Sequence, residues 1–233
     1  MGASEIGVVF DCDGTLLDSM GVWHGLQNEL AERAGGTLTA EDVAALAPMS
    51  IPECGAFFHE KFGLGESDHE VVGMIDEYML DFYRHRAEAR PGALGFVQGL
   101  AQAGAHLTVA SSSPKPYLMA GIERCGFAPY LERVLSVEDV HSTKREPDVW
   151  DRAREIMGTS KQLTWGVEDS AYAIGTLGGA GYRTLAIYDS DDAGAWDALQ
   201  ASAEHAIRSF EDLTVEEFLT WNEQPLFVGT ANK

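Results

Sequence analysis

Asp11 and Asp13 stand two residues apart at the end of a short apolar run, Ile6 and residues 8–10. Cys12 lies between them, and Gly14, Thr15, Asp18 and Ser19 follow. Two carboxylates this close repel each other unless a cation lies between them. An all-oxygen ligand set of this kind suits Mg²⁺, which keeps several waters and often binds a substrate phosphate as well. A carboxylate can also act as a nucleophile and divide one hard group transfer into two easier steps. Three other polar groups recur downstream: Ser111-Ser112-Ser113 before Pro114, Lys144-Arg145 before Glu146-Pro147-Asp148, and Glu168-Asp169-Ser170. Hydroxyls and backbone N–H groups at a helix start bind anions. Read one at a time, each group has a plainer meaning. Asp-x-Asp-Gly is a turn, the serines are a helix cap, Lys144 is a solvated loop lysine, and Glu168-Asp169 is an acidic N-cap.

The elements that would position these groups can be read from hydrophobic periodicity. Residues 6–10 form a short β-rich run ended by Asp and Gly, which predicts a buried strand. Residues 106–110, 133–136, 163–167 and 182–187 repeat that pattern, with helical stretches between them. Strand–helix alternation of this kind predicts a doubly wound parallel sheet with helices on its faces, an α/β fold. In such sheets ligands bind at the carboxyl edge of the strands. Asp11, Ser111 and Glu168 each fall at that edge. Cys12, alternating with the two acids, is expected to face the core.

Residues 20–86 carry no strand signal. Val22, Trp23, Leu26, Leu30 and Ala34 recur at helical spacing before Gly35-Gly36. Thr39 precedes acids in a first turn, Ser50 and Glu53 make a capping-box pattern with Pro52 between them, and Ser67 caps a longer helix through Tyr83. The expected organisation is a core of residues 1–18 and 89–233 with a helical insert, residues 19–88, joined by hinges at 18–20 and 87–91. The tail after Pro225 is expected to be loosely held.

Composition narrows the partners. The 233 residues suffice for a sizeable core, and 45% hydrophobic and 9% aromatic content implies a packed globule. Lys and Arg number 16 against 37 Asp and Glu, a net charge of −21. That surface repels nucleic acid and anionic membranes, so neither is an expected partner. It also repels a phosphorylated substrate, which must find local positive charge at the site. Three widely spaced cysteines form neither a disulfide framework nor a zinc pattern and suit a reducing compartment. No apolar run reaches the ~18 residues of a membrane span, and the acids at 11 and 13 interrupt any signal peptide. The expected location is the cytoplasm and the expected state a monomer.

Taken together, the string from the apolar strand through Asp11-x-Asp13-Gly14-Thr15 to Asp18-Ser19 resembles motif I of the haloacid dehalogenase-like superfamily. Ser111 is the closest match to motif II, with Ser112 as a second phosphate contact, and the sequence leaves open which serine of 111–113 holds the phosphate. Lys144-Arg145-Glu146-Pro147-Asp148 resembles motif III, Lys-Pro-x-Pro-Asp, with Arg145 in place of the first Pro. Residues 166–170, with Gly175 and Gly181, resemble motif IV. The resemblance implies an enzyme in which Asp11 is the nucleophile and Asp13 the general acid and base. Lys144 then neutralises phosphoryl charge, while Asp11, Asp13, Glu168 and Asp169 hold Mg²⁺. It also implies that the helical insert is a cap over the site.

The activity implied is hydrolysis of a small phosphorylated metabolite through an aspartyl-phosphate. One alternative is a β-phosphoglucomutase-like phosphomutase. In that enzyme a His lies five residues beyond the Asp that follows motif I, whereas here that position is Trp23 and His24 comes one later, ~100° further round a helix. The other alternative is a non-catalytic protein that binds a metal or partner. His24 and Gln27, at the start of the insert, are the expected substrate contacts that set specificity.

Overall fold

The computed structural model of the chain describes residues 2–46, 49–189 and 196–223. The tail after Pro225 lies outside the described residues. The chain divides into two compact units, Met1–Asp18 with Ala87–Lys233, and Ser19–Arg86.

The first unit is built on six parallel strands in the order β3-β2-β1-β4-β5-β6. They are β1 (Gly7–Phe10), β2 (His106–Ser111), β3 (Arg133–Ser136), β4 (Thr164–Glu168), β5 (Arg183–Ile187) and β6 (His205–Ile207). The five strands expected from sequence are present within a residue or so at each end, and β6 is an addition. Phe10 pairs with Val109 on one side and with Val167 on the other. The ends of β1, β2 and β4 are therefore level, and Asp11, Ser111 and Glu168 follow within one or two residues. The order reverses between β1 and β4, the kind of crevice where open α/β sheets bind ligands.

Alternation along the central strands sends neighbouring side chains to opposite faces. Val9, Ala110 and Leu135 pack with Trp150, Ala153 and Met157 of α7 (Asp148–Met157) and with Ala173 and Leu177 of α8 (Ala171–Gly179). On the other face Phe10 meets Phe210, and Phe210 meets Phe96 of α5 (Ala93–Ala103). Phe96 and Trp165 both contact Phe218 of α10 (Val215–Trp221). Helices thus cover both faces, with α6 (Lys115–Arg124) and α9 (Trp196–Ser202) also in this unit, and the acidic loops emerge from buried central strands. Cys12 is fully buried, as its alternation implied. Burial, with Asp13 and Asp11 beside it, pushes its thiol pKa far up, so it stays protonated.

The chain leaves and re-enters this unit at one place. Asp18 N–H donates to Glu88 O at 3.0 Å and Arg90 N–H to Leu16 O at 2.9 Å, flanking an antiparallel bridge between Leu17 and Ala89.

The second unit contains α1 (Met20–Arg33), α2 (Ala40–Leu46), α3 (Ile51–Phe62) and α4 (Asp68–His85). The capping signals form as the sequence implies: Ser50 and Glu53 complete a capping box, and the Ser67 side chain accepts from Glu70 N–H. α3 and α4 pack closely at Gly55, where a Cβ would sit 2.5 Å from Val72. Trp23 Nε1 donates to the Tyr83 hydroxyl at 3.1 Å, which ties α1 to α4.

Asp42 anchors α2. Its carboxylate accepts from Lys61, from Thr39 N–H at 2.9 Å and from the Thr39 hydroxyl at 2.8 Å. These partners, Lys61 first, lower its pKa from 3.8 to about 2. A depressed carboxyl stabilises the fold fully above its unfolded pKa and less as pH falls through the folded one. Asp42 should therefore contribute above pH 3.8 and progressively less toward pH 2. The check is the pH dependence of thermal melting: Asp42→Asn should lower the melting temperature at neutral pH and converge with wild type near pH 2.

Candidate active site

β1 delivers Asp11 to the carboxyl edge while its backbone is still tied to β4, since Asp11 N–H donates to Val167 O at 2.9 Å. The turn that follows needs a left-handed residue, and Gly14 supplies it with φ of 75°. The loop after β3 brings Lys144 back under the same edge, where its Nζ donates to Asp11 Oδ1 and lies 2.7 Å from Glu168 Oε1. Lys144 is only 4% exposed. One carboxylate oxygen each from Asp11, Glu168 and Asp169 lies within 4.8 Å of the others, and all three residues are buried.

The electrostatics follow from this crowding. Burial pushes the Asp11 carboxyl up, and the Asp13 charge adds to this while Lys144 opposes it. Burial likewise raises Glu168 from 4.5 to about 8, with Asp11 adding and Lys144 opposing. Asp169 is pushed far up by burial, then by Asp11 and Glu168. Burial alone would lower Lys144, but Asp11 and Glu168 more than offset it and hold the ammonium above its ordinary range. Three acids thus share one lysine. With all three ionised the pocket carries two uncompensated negative charges, and its all-oxygen donor set fits a hard divalent cation such as Mg²⁺.

Asp13 is tied to the serine loop. Its Oδ2 accepts from the Ser113 hydroxyl at 2.6 Å, and the Ser113 carbonyl accepts from the Ser136 hydroxyl at 2.9 Å. Ser111 ends β2, is fully buried, and its Oγ accepts from Ser113 N–H at 3.1 Å in a tight side-chain turn. Ser112, between them, is exposed. The sequence pointed to Ser111 and Ser112 as ligand contacts and missed Ser113 as the residue that orients Asp13. The signal was present, since Ser113 belongs to the same serine run.

Arg90 was also missed. Its guanidinium donates to Gly14 O at 2.7 Å, to Asp189 Oδ2 at 2.6 Å and to Tyr188 O at 2.5 Å. It therefore binds the turn after Asp13 to the end of β5. The first unit holds Asp11, Asp13, Ser111, Ser112, Lys144, Glu168 and Asp169. His24 and Gln27 stand on α1 of the second unit, His24 exposed and Gln27 half-buried.

Comparison with known proteins gives a consistent picture. Residues 7–181 match the hydrolase family described as haloacid dehalogenase-like hydrolase. Hexitol phosphatase A of Escherichia coli (strain K12) is 26% identical over 191 residues, covering 78% of this chain and 82% of that protein. A family IA hydrolase of this superfamily from Entamoeba histolytica superposes with a TM-score of 0.76 at 20% identity, covering 94% of this chain and 100% of the other. β-Phosphoglucomutase from Clostridium difficile gives 0.73 at 14% identity, covering 93% and 96%. At these identities the two structures establish the shared fold. Among the described residues, no helix is long and apolar enough to cross a membrane.

Proposed function

Because the chain belongs to the haloacid dehalogenase-like hydrolase family, we propose that it is a Mg²⁺-dependent phosphatase acting on a small phosphorylated metabolite through an aspartyl-phosphate. The observation that carries this reading is the buried Lys144 held between Asp11 and Glu168, beside Asp169. That arrangement presents a nucleophilic carboxylate with fixed positive charge at its side. It lies at the carboxyl edge of the sheet, where positioning and charge neutralisation do most of the work of phosphoryl transfer.

In this reading an Asp11 carboxylate oxygen forms a bond to phosphorus while the ester P–O bond breaks in line. The Asp13 carboxyl gives its proton to the leaving oxygen. In the second half Asp13 takes a proton from water, the water oxygen bonds to phosphorus, and the bond to Asp11 breaks. Ser113 holds Asp13 in one orientation between these two transfers. Ser111 and Ser112 contribute hydroxyl and backbone N–H donors toward the phosphoryl oxygens, and Lys144 neutralises their charge. Asp11, Glu168 and Asp169, with the Asp13 backbone carbonyl, would hold Mg²⁺, which supplies the remaining positive charge against the phosphoryl group. His24 and Gln27 are the proposed contacts to the leaving group, from a helical insert acting as a cap.

The test is a panel of phosphate esters assayed for inorganic phosphate release with and without Mg²⁺. Release at one equivalent per ester consumed, lost on chelation, is the expected result. Transfer of the phosphoryl group within a sugar phosphate without release would overturn hydrolysis as the activity. Metal binding has its own readout. Millimolar Mg²⁺ should raise the melting temperature of the wild type by several degrees, since a ligand that binds only the folded state stabilises it. Asp169→Asn should abolish most of that rise. An equal rise in the variant would remove Asp169 from the ligand set.

A further inference from the structure

Arg145 occupies the position where the resemblance expects a proline, immediately after Lys144. Its guanidinium lies over the ring of Tyr172, 5.4 Å from the ring centre. Tyr172, three residues beyond Asp169, is 49% exposed. Burial of part of that ring raises its phenol pKa, and the phenol lies within the influence of Lys144, Glu168, Asp11 and the Ser112 hydroxyl. The Arg145–Tyr172 contact thus joins the residue after Lys144 to the third residue beyond Asp169.

Elsewhere the cations of this acidic chain are commonly neutralised. Lys61 pairs with Asp42, Lys115 with Asp139, Lys161 with Asp151 and Arg183 with Glu204. Among the described residues, no carboxylate lies within 4.0 Å of the Arg145 guanidinium. A chain of net charge −21 thus keeps an exposed, unneutralised cation beside the buried ammonium that faces the proposed nucleophile. A guanidinium stacked on an aromatic face loses little conformational freedom, and its N–H edge stays free to grip a carboxylate or phosphate through two parallel hydrogen bonds. Consecutive Cα atoms are 3.80 Å apart, so Arg145 stands next in the chain to the lysine that meets the phosphoryl group.

We propose that Arg145, braced on Tyr172, is a specificity-determining residue for a second anionic group, so that the preferred substrates are small phosphate esters carrying a further carboxylate or phosphate. This rests on the phosphatase reading and adds the substrate class to it. The same negative surface that would discourage a ligand with two anionic groups makes a local cation the direct way to select it.

Binding to the Asp11→Asn protein with Mg²⁺, measured by titration calorimetry, tests this independently of turnover. The probes are glycerol 3-phosphate, 3-phosphoglycerate and 1,3-propanediol bisphosphate, which share a phosphate ester and differ in the far group. Both esters with a second anionic group are expected to bind at least about ten-fold more tightly than glycerol 3-phosphate, in line with charge-assisted hydrogen bonds. Whichever of the two binds more tightly distinguishes a carboxylate from a second phosphate. Adding Arg145→Gln should bring the affinity ratio to about two-fold or less, and Arg145→Lys should recover part of it through charge alone. Equal affinities in the parent, no binding of any probe, or a ratio unchanged by Arg145→Gln each overturns the inference. Failure of the wild type to release phosphate from any ester would overturn the phosphatase reading, while the binding ratio would still decide the role of Arg145.

Discussion

Replacing Asp11 with Asn should reduce phosphate release by at least ~10⁴-fold, the scale of loss when a covalent nucleophile is removed. The amide keeps the size and most of the packing of the carboxyl, and β1 holds the backbone through the hydrogen bond to Val167. The far-ultraviolet circular dichroism should therefore match the wild type. The variant removes one of three buried acids that share Lys144, which relieves repulsion with Asp169 as it weakens attraction to Lys144. Its metal-free melting temperature should stay close to the wild type for that reason. Rapid acid quenching followed by peptide mass spectrometry gives a second readout: phosphoryl adducts on the peptide bearing Asp11 in the wild type, and none in the variant. Wild-type-like turnover by Asp11→Asn would move the nucleophile elsewhere.

The second large effect belongs to Lys144. Removing one member of a buried, charge-paired cluster leaves the others uncompensated and costs roughly 3–5 kcal/mol. Lys144→Met keeps much of the aliphatic length and deletes the charge that Asp11 and Glu168 both use. For a protein of this size a few kcal/mol corresponds to a fall of roughly 10 °C in melting temperature. Mg²⁺ should restore part of that loss, because it supplies positive charge to the same oxygens. Adding Glu168→Gln should restore part of it without metal. The pH dependence has a defined sign. Glu168 is an acid whose folded pKa is raised from 4.5 to about 8. The folded state then binds more protons than the unfolded one across that interval, so metal-free stability should fall as pH rises from about 4.5 to about 8. Without Lys144 the fall should be steeper. A melting temperature of Lys144→Met within about 2 °C of the wild type at pH 8 would show that the cluster is less charged than the geometry implies.

The parts of this site that sequence made legible are those fixed by strand ends. An apolar run followed at once by acid or hydroxyl places Asp11, Ser111, Glu168 and Asp169 at one edge, because a parallel sheet aligns the carboxyl ends of its strands. Lys144 was legible through the Pro-Asp that follows it, although nothing local shows that a loop lysine will be buried. What escaped depended on direction or distance. Ser113 reaches Asp13, because the turn at Ser111 decides where its hydroxyl points. Arg90 is defined by Asp189, which is 99 residues away, and by two backbone carbonyls that have no side-chain signature. β6 is three residues long and opens on His205, too short and too polar to read as a strand.

The paired crossing at Leu17 and Ala89 has a consequence for how such a protein changes over time. Because the two chain passages are hydrogen-bonded to one another, the core meets everything between them as a closed loop with fixed ends. Doubling the length of such a loop costs only about 0.6 kcal/mol of closure entropy. Helices can be lengthened, exchanged or lost on the far side of that clasp with little effect on the register of β1, and so on the placement of Asp11 and Asp13. Heredity can therefore rewrite one part of the gene while the chemistry encoded on either side of it stays untouched.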